Sequence, residues 1–185
     1  MKKVLVVLAH PNFEKSRGNR ALIEAICELP SVTIHHLYKQ YSQWQIDVQA
    51  EQALLIQQDL IVFQHPLYWY SVPPLLKKWM DDVLTFGFAF GQDGTALKGK
   101  ELMPVITTGG LPELYAAGGG ANFTISELLR PIQQTATFCG MGYKTPFVVY
   151  GFLPQELEIP GAITDEQLFQ EANRYRQFLQ HYMAG

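Results

Sequence analysis

The chain has 185 residues, of which 48% are hydrophobic and 17% charged, with a formal net charge of -3 and a pI near 5.9. This is most simply one globular domain with ample core, and its mild acidity argues against a protein that grips nucleic acid or an acidic membrane by charge. No apolar run is long enough for a signal-peptide core or a membrane span, so the cytoplasm is the expected compartment. Cys27 and Cys139 lie far apart with no CxxC spacing. Both are expected to be reduced core thiols, and no metal is expected.

In chain order, Lys3 to Ala9 is a continuous apolar run and reads as a buried strand. Leu22, Ala25, Ile26 and Leu29 then recur at the spacing of one helix face. Val32 to Leu37 is a second strand, Ala50 to Gln57 a short helix, and Asp59 to Gln64 a third strand. Leu76, Trp79, Met80 and Val83 mark a helix whose first turn suits Pro73-Pro74. Leu102 to Thr107 is a fourth strand, and Thr124 to Phe138 is a helix that Pro131 should kink or split. Thr145 to Tyr150 is a fifth strand, followed by a helix opened by the capping box Thr164-Asp-Glu-Gln167 and carrying Leu168, Ala172, Tyr175, Leu179 and Tyr182. Five apolar strands separated by helices predict a doubly wound α/β sandwich around a parallel sheet.

Such sheets bind ligands at the carboxyl ends of their strands, near the switch point of strand order. For the order 2-1-3-4-5 this selects three loops: His10 to Asn19, His65 to Pro74, and Thr107 to Tyr115. The first contains neither G-x-G-x-x-G nor a P-loop, but Ser16 and Asn19 lie near a helix start, where backbone N-H groups favour phosphate and Arg17 adds charge. By itself that loop is better explained by an ordinary N-cap at Ser16 and a solvated Arg17. In the third loop, Thr107-Thr-Gly-Gly110 lets a ligand approach the backbone, and Gly118-Gly-Gly120 suggests a flexible lid or simply a mobile turn. The middle loop carries Leu67, Tyr68, Trp69 and Tyr70 in succession. Four large side chains in a row cannot all face inward, and a flat aromatic ligand resting on them removes the difficulty. Phosphate at one loop, a ring at the next and backbone donors at the third describe a flavin mononucleotide site.

The stretches LAHP, IDVQAEQALL, DLIVFQHPLYWYSVPPLLKKWMDDVLTFGFAFG, GTALKGK, VITTGG and ATFCGM span nearly the whole chain. Together they resemble the NAD(P)H:quinone oxidoreductase (DT-diaphorase) family of flavodoxin-like proteins, and within it the bacterial ancillary proteins of the glutathione-regulated potassium-efflux (Kef-type) systems. The resemblance implies a single flavodoxin-like, flavin-binding domain over residues 1–185, a three-layer sandwich on a five-stranded parallel sheet of order 2-1-3-4-5. It also implies an enzyme that passes two electrons from NADH or NADPH to quinones and related electrophiles in a ping-pong cycle, as a homodimer with its sites at the subunit interface.

Carried over by position, the family's flavin contacts fall on His10 and on Ser16, Arg17, Gly18 and Asn19 at the phosphate and ribityl end. Pro66, Leu67, Tyr68, Trp69 and Tyr70 fall beside the ring, and Thr107, Thr108, Gly109 and Gly110 at its polar edge. FMN is the form expected from the potassium-efflux branch, while FAD, the form in the mammalian enzymes, stays open. The family's relay tyrosine falls on Tyr115, the expected catalytic residue, but the relay histidine position holds Ala121. The alternative function implied is a regulatory subunit that binds and activates a potassium efflux antiporter, which would bring the chain to the inner face of the membrane. A simple electron-carrier flavodoxin fits less well, because the first loop lacks a Thr-rich phosphate turn.

Overall fold

A computed structural model describes residues 1–153 and 160–185. Its parallel sheet is built on β1 (Val4–Leu8), β2 (Val32–His36), β3 (Leu60–Pro66) and β4 (Glu101–Thr107), in the order β2-β1-β3-β4. The register pairs Val4 with both Val32 and Leu60, and Leu60 with Glu101. Every residue of β1 and β3 is buried, as expected of central strands covered on both faces. Alternate side chains divide between two cores. Leu5, Val7, Ile61 and Phe63 pack with α3 (Val48–Ile56), α4 (Pro74–Val83) and α6 (Arg130–Phe138), whereas Val4, Val6, Leu8 and Val62 pack with α1 (Arg17–Ile26) and α7 (Asp165–Ala184). The three layers and the strand order are those expected from the sequence.

The fifth position of the sheet departs from expectation. Two short segments fill it, β5 (Gly142–Tyr143) and β6 (Phe147–Val149), each pairing in parallel with β4. Pro146, inside the expected strand, has no N-H to donate, so the ladder breaks there and resumes at Phe147. The expected helix over Thr124 to Phe138 is likewise split, into α5 (Ile125–Leu128), capped by Thr124 and Glu127, and α6, which has Pro131 in its first turn. The remaining short helix, α2 (Leu37–Gln40), is capped by the His36 ring. Cys139 is buried, but Cys27 is exposed, which corrects its assignment to the core. It falls off the Leu22, Ile23, Ile26 face of α1 and turns its thiol to the Glu24 carbonyl, 3.4 Å away.

The topology leaves a crevice at one edge. The chain leaves β1 for α1 on one face of the sheet and leaves β3 for α4 on the other, so the loops after these adjacent strands part.

Candidate functional site

A cleft of about 390 Å3 opens at the carboxyl ends of β1, β3 and β4. It is lined by His10, Ser16, Arg17, Gly18, Pro66, Leu67, Tyr68, Thr107, Thr108 and Gly109, ten of the residues expected from the sequence, with Lys15, Phe152 and Leu153 added. That volume lies within the range of small-molecule sites, roughly 300 to 1,000 Å3. A groove of about 470 Å3 between α4 and α6 is larger, but Met80, Leu84, Ile132 and Phe138 make its wall mainly apolar and it lies beside the three loops rather than among them.

At the first end of the cleft, Ser16 is the N-cap of α1, its Oγ accepting the Asn19 N-H at 3.2 Å. The backbone N-H groups of Arg17 and Gly18 have no partner among the described residues, so the start of the helix presents two donors and its dipole to an anion. Arg17 reaches the cleft but is held at its back: one guanidinium nitrogen donates to the Ile163 carbonyl and another lies 3.6 Å from Asp165. Asn19 does not line the cleft. It is fully buried, its Nδ2 donating to Ser16 Oγ at 3.1 Å and Thr107 Oγ1 at 2.9 Å, while its carbonyl accepts from Gln64 Nε2 at 3.2 Å. Asn19 thus ties the first and third loops to each other and to β3, a positioning role in place of the expected ligand contact.

His10 Nδ1 accepts the Asn12 N-H at 3.1 Å, which leaves the ring proton on Nε2. Burial holds its pKa below the ordinary value, and nearby His36 adds to the effect, so the ring is neutral at pH 7.

The aromatic loop is a tight hairpin. Tyr68 and Ser71 exchange backbone hydrogen bonds of 3.0 and 2.9 Å, and between them Trp69 and Tyr70 have φ of 45° and 62°. Positive φ at both central positions is the type I′ pattern, normally filled by Asn-Gly, and holding non-glycine residues there costs about 1 to 2 kcal/mol each. Trp69 is 92% exposed and Tyr70 48%, and neither lines the cleft, whereas Tyr68 does and stands edge-on to His10 with ring centroids 6.1 Å apart. Strain of this kind persists only where surrounding structure over-determines it, and it concentrates at functional sites.

Among Thr108, Gly109 and Gly110 the free backbone donors narrow to one. Thr108 N-H is taken by the Val149 carbonyl at 3.0 Å and Gly110 N-H by Thr108 Oγ1 at 3.3 Å, while Gly109 N-H has no partner among the described residues. A Cβ at Gly109 would meet nothing closer than 3.6 Å, so its backbone is open to approach; at Gly110 a Cβ would lie 2.5 Å from Leu114 and 2.8 Å from the Tyr115 ring. Gly110 therefore serves packing and does not line the cleft. Tyr115 is buried behind this loop, its hydroxyl 2.5 Å from Thr108 Oγ1, either group donating.

Phe152 and Leu153 escaped the sequence reading, although they follow the last strand and the same carboxyl-end rule applies to them. The expected strand ends at Tyr150, two residues short of Phe152.

The profile of a family described as having a flavodoxin-like fold matches residues 2–178. A curated relative, the glutathione-regulated potassium-efflux system ancillary protein KefF of Klebsiella aerogenes, is 43% identical over 176 residues, covering 95% of this chain and 94% of the relative. Among solved structures, general stress protein 14 of Treponema denticola, in complex with FMN, superposes with a TM-score of 0.88 at 36% identity, covering 97% of this chain and 98% of that one. An NADPH-quinone reductase from P. pentosaceus superposes with a TM-score of 0.81 at 38% identity, covering 95% and 96%.

Proposed function

Because this chain belongs to the flavodoxin-like family that includes NAD(P)H oxidoreductases, we propose that it is an FMN-dependent NAD(P)H:quinone oxidoreductase. It passes two electrons from NAD(P)H to quinones and related electrophiles in a ping-pong cycle. The observation that carries this reading is the cleft, with free donors at Arg17 and Gly18, an aromatic wall at Tyr68 and a free donor at Gly109. These suit a phosphate, a flat ring and the ring's polar edge in turn. Bound FMN would supply the hydride chemistry between nicotinamide and quinone.

The chain's own residues bind and tune. Ser16, Arg17 and Gly18 hold the phosphate, His10 donates from Nε2 toward the ribityl end, and Pro66, Leu67 and Tyr68 support the ring with Trp69 and Tyr70 at its outer rim. Gly109 N-H would stabilise negative charge on the bound ring, and Thr107 and Thr108 would fix that donor in place. Introducing a carboxylate at the phosphate end should therefore be selective: Ser16→Glu weakens FMN binding at least about tenfold more than riboflavin binding. Equal losses in a fluorescence titration would place Ser16 away from the phosphate.

Tyr115 acts through Thr108 on this reading. Tyr115→Phe should lower kcat by less than about tenfold, the worth of one hydrogen bond of about 1 kcal/mol, with flavin content unchanged. With Ala121 unable to relay a proton, water supplies it. Steady-state rates with NADH and a benzoquinone decide the matter, and an unchanged rate would remove Tyr115 from the machinery.

The decisive experiment on the whole reading is direct. The purified protein should be yellow, release FMN on denaturation and oxidise NADH or NADPH in the presence of a benzoquinone. A colourless preparation that binds neither FMN nor FAD when they are added would sink it.

A second reading is favoured by the KefF relative, which covers nearly all of the chain. On it, the protein docks on a potassium efflux antiporter at the membrane and activates it, with or without turnover. No helix among the described residues is long and apolar enough to cross a membrane, so attachment would run through that partner. Potassium efflux from vesicles carrying the antiporter, with and without this protein, tests it. A homodimer accompanies both readings. Exposed Trp69, Phe86 and Phe138 near the apolar groove give a second copy something to cover, and light scattering at micromolar concentration reads the mass.

A further inference from the structure

We propose that Phe152 sets the length of flavin this site accepts, so that the cleft takes FMN and turns away FAD. The inference rests on the FMN reading above. FAD is FMN extended by AMP through the terminal phosphate, so any discrimination between them happens on the far side of that phosphate. The structure builds a wall there.

The tip of the Phe152 ring lies against Gly18 at the start of α1, so closely that a Cβ on Gly18 would sit 2.4 Å from Phe152 Cζ. Behind the ring, the Arg17 guanidinium stands 5.8 Å from its centroid and is tied to the Ile163 carbonyl and Asp165. The backbone that carries the ring is fixed on both sides. Phe152 N-H donates to the Thr108 carbonyl at 3.1 Å, Gly151 N-H to the Gly110 carbonyl at 3.2 Å, and Ile163 N-H to the Gly151 carbonyl at 2.9 Å. The ring's backbone is therefore tied to the loop after β4 and to the start of α7, and the ring lines the cleft beside Ser16, Arg17 and Gly18.

A monophosphate ends at the Arg17 and Gly18 donors and leaves this wall undisturbed. A diphosphate has to continue past the phenyl ring, which offers no hydrogen bond to its second charge. Arg17 would give up its bond to the Ile163 carbonyl in turning to meet that charge, while its Nη1 is buried without a hydrogen-bond partner beside Asp165. Tyr68 and Gly109, at the ring end, are indifferent to the extension.

The test is a set of titrations of the apoprotein with riboflavin, FMN and FAD, followed by flavin fluorescence, with thermal unfolding as a check on folding. The wild type should bind FAD about a hundredfold more weakly than FMN, and Phe152→Ala should narrow that ratio at least about tenfold through tighter FAD binding. Phe152→Leu, which keeps an apolar side chain but loses the ring tip, should move the ratio in the same direction and decides the matter if the alanine variant does not fold. Equal affinity of the wild type for FMN and FAD, or a ratio unmoved in the folded variants, overturns the assignment of Phe152. Failure of the wild type to bind any of the three flavins instead overturns the FMN reading on which this assignment rests.

Discussion

Glu51→Ala should lower the unfolding free energy by about 3 to 5 kcal/mol, the cost of breaking a buried charged network from one side. Glu51 sits on α3 at 2% exposure, where it accepts the Tyr41 hydroxyl just past α2 and the Trp79 indole N-H of α4 at 2.7 Å. The His35 ring of β2 approaches it at 2.8 Å, out of line for a hydrogen bond. One carboxylate thus joins four elements on a single face of the sheet. Alanine leaves the indole N-H and the phenol buried without acceptors, each costing about 1 to 3 kcal/mol, beside a cavity the carboxylate filled.

The same residue contributes to acid sensitivity. Burial pushes the Glu51 pKa up, but the nearby His35 ring and the donors Tyr41 and Trp79 outweigh it and hold the group below its ordinary value. Its stabilisation is therefore complete above the unfolded pKa of about 4.3 and is lost as pH falls through the lower folded value. Urea unfolding of the two proteins at pH 7 measures the difference, and a loss under about 1 kcal/mol would reduce the network to an ordinary surface pair.

How far the sequence reaches depends on how local the cause is. Central strands were legible because burial on both faces forces unbroken apolar runs such as Val4 to Leu8, and the capping box at Thr164 marked α7 because its partners lie three residues apart. The site loops were legible for the same reason, since they follow from where strands end. What failed was decided at a distance. Asn19 finds Thr107 across 88 residues and Arg17 finds Ile163 across 146, so nothing near either residue shows that its polar groups are already engaged. The break at Pro146 was locally visible but was outweighed by the apolar run around it. Trp69-Tyr70 runs against local preference altogether, because the sequence rule for a type I′ turn asks for Asn-Gly. Local rules fail there because the Tyr68–Ser71 bridge holds both central residues at positive φ, at a cost in backbone strain.

Lowering the pH from 7 to 5 should remove about 2 kcal/mol of stability, and His65→Phe should abolish most of that loss. His65 lies on β3 immediately before the site loop, with no exposed surface. Its Nδ1 is 2.9 Å from the Pro66 carbonyl, which fixes the N-H there, and Nε2 is buried without a partner. Protonation would bury a cation with one N-H undonated. Burial accordingly lowers its pKa to about 4, with the Pro66 carbonyl pulling weakly the other way. An unfolded histidine titrates near 6.5, so the folded state binds fewer protons below that pH. The stabilisation is complete above about pH 6.5 and is lost as pH falls toward the folded value, reaching about 3 kcal/mol near pH 4. His10 and His36, whose pKa values burial also lowers, act in the same direction and account for what remains in the variant. The phenylalanine costs about 1 kcal/mol at pH 7 for the lost hydrogen bond, so the expected signature is a flatter profile from a lower start. Urea melts at pH 7, 6 and 5 separate the two effects, and parallel profiles for wild type and variant would show that His65 is not what acid unfolds. Because Pro66 opens the aromatic loop, release of flavin should precede global unfolding as the pH falls in the wild type, and the two should coincide in the variant.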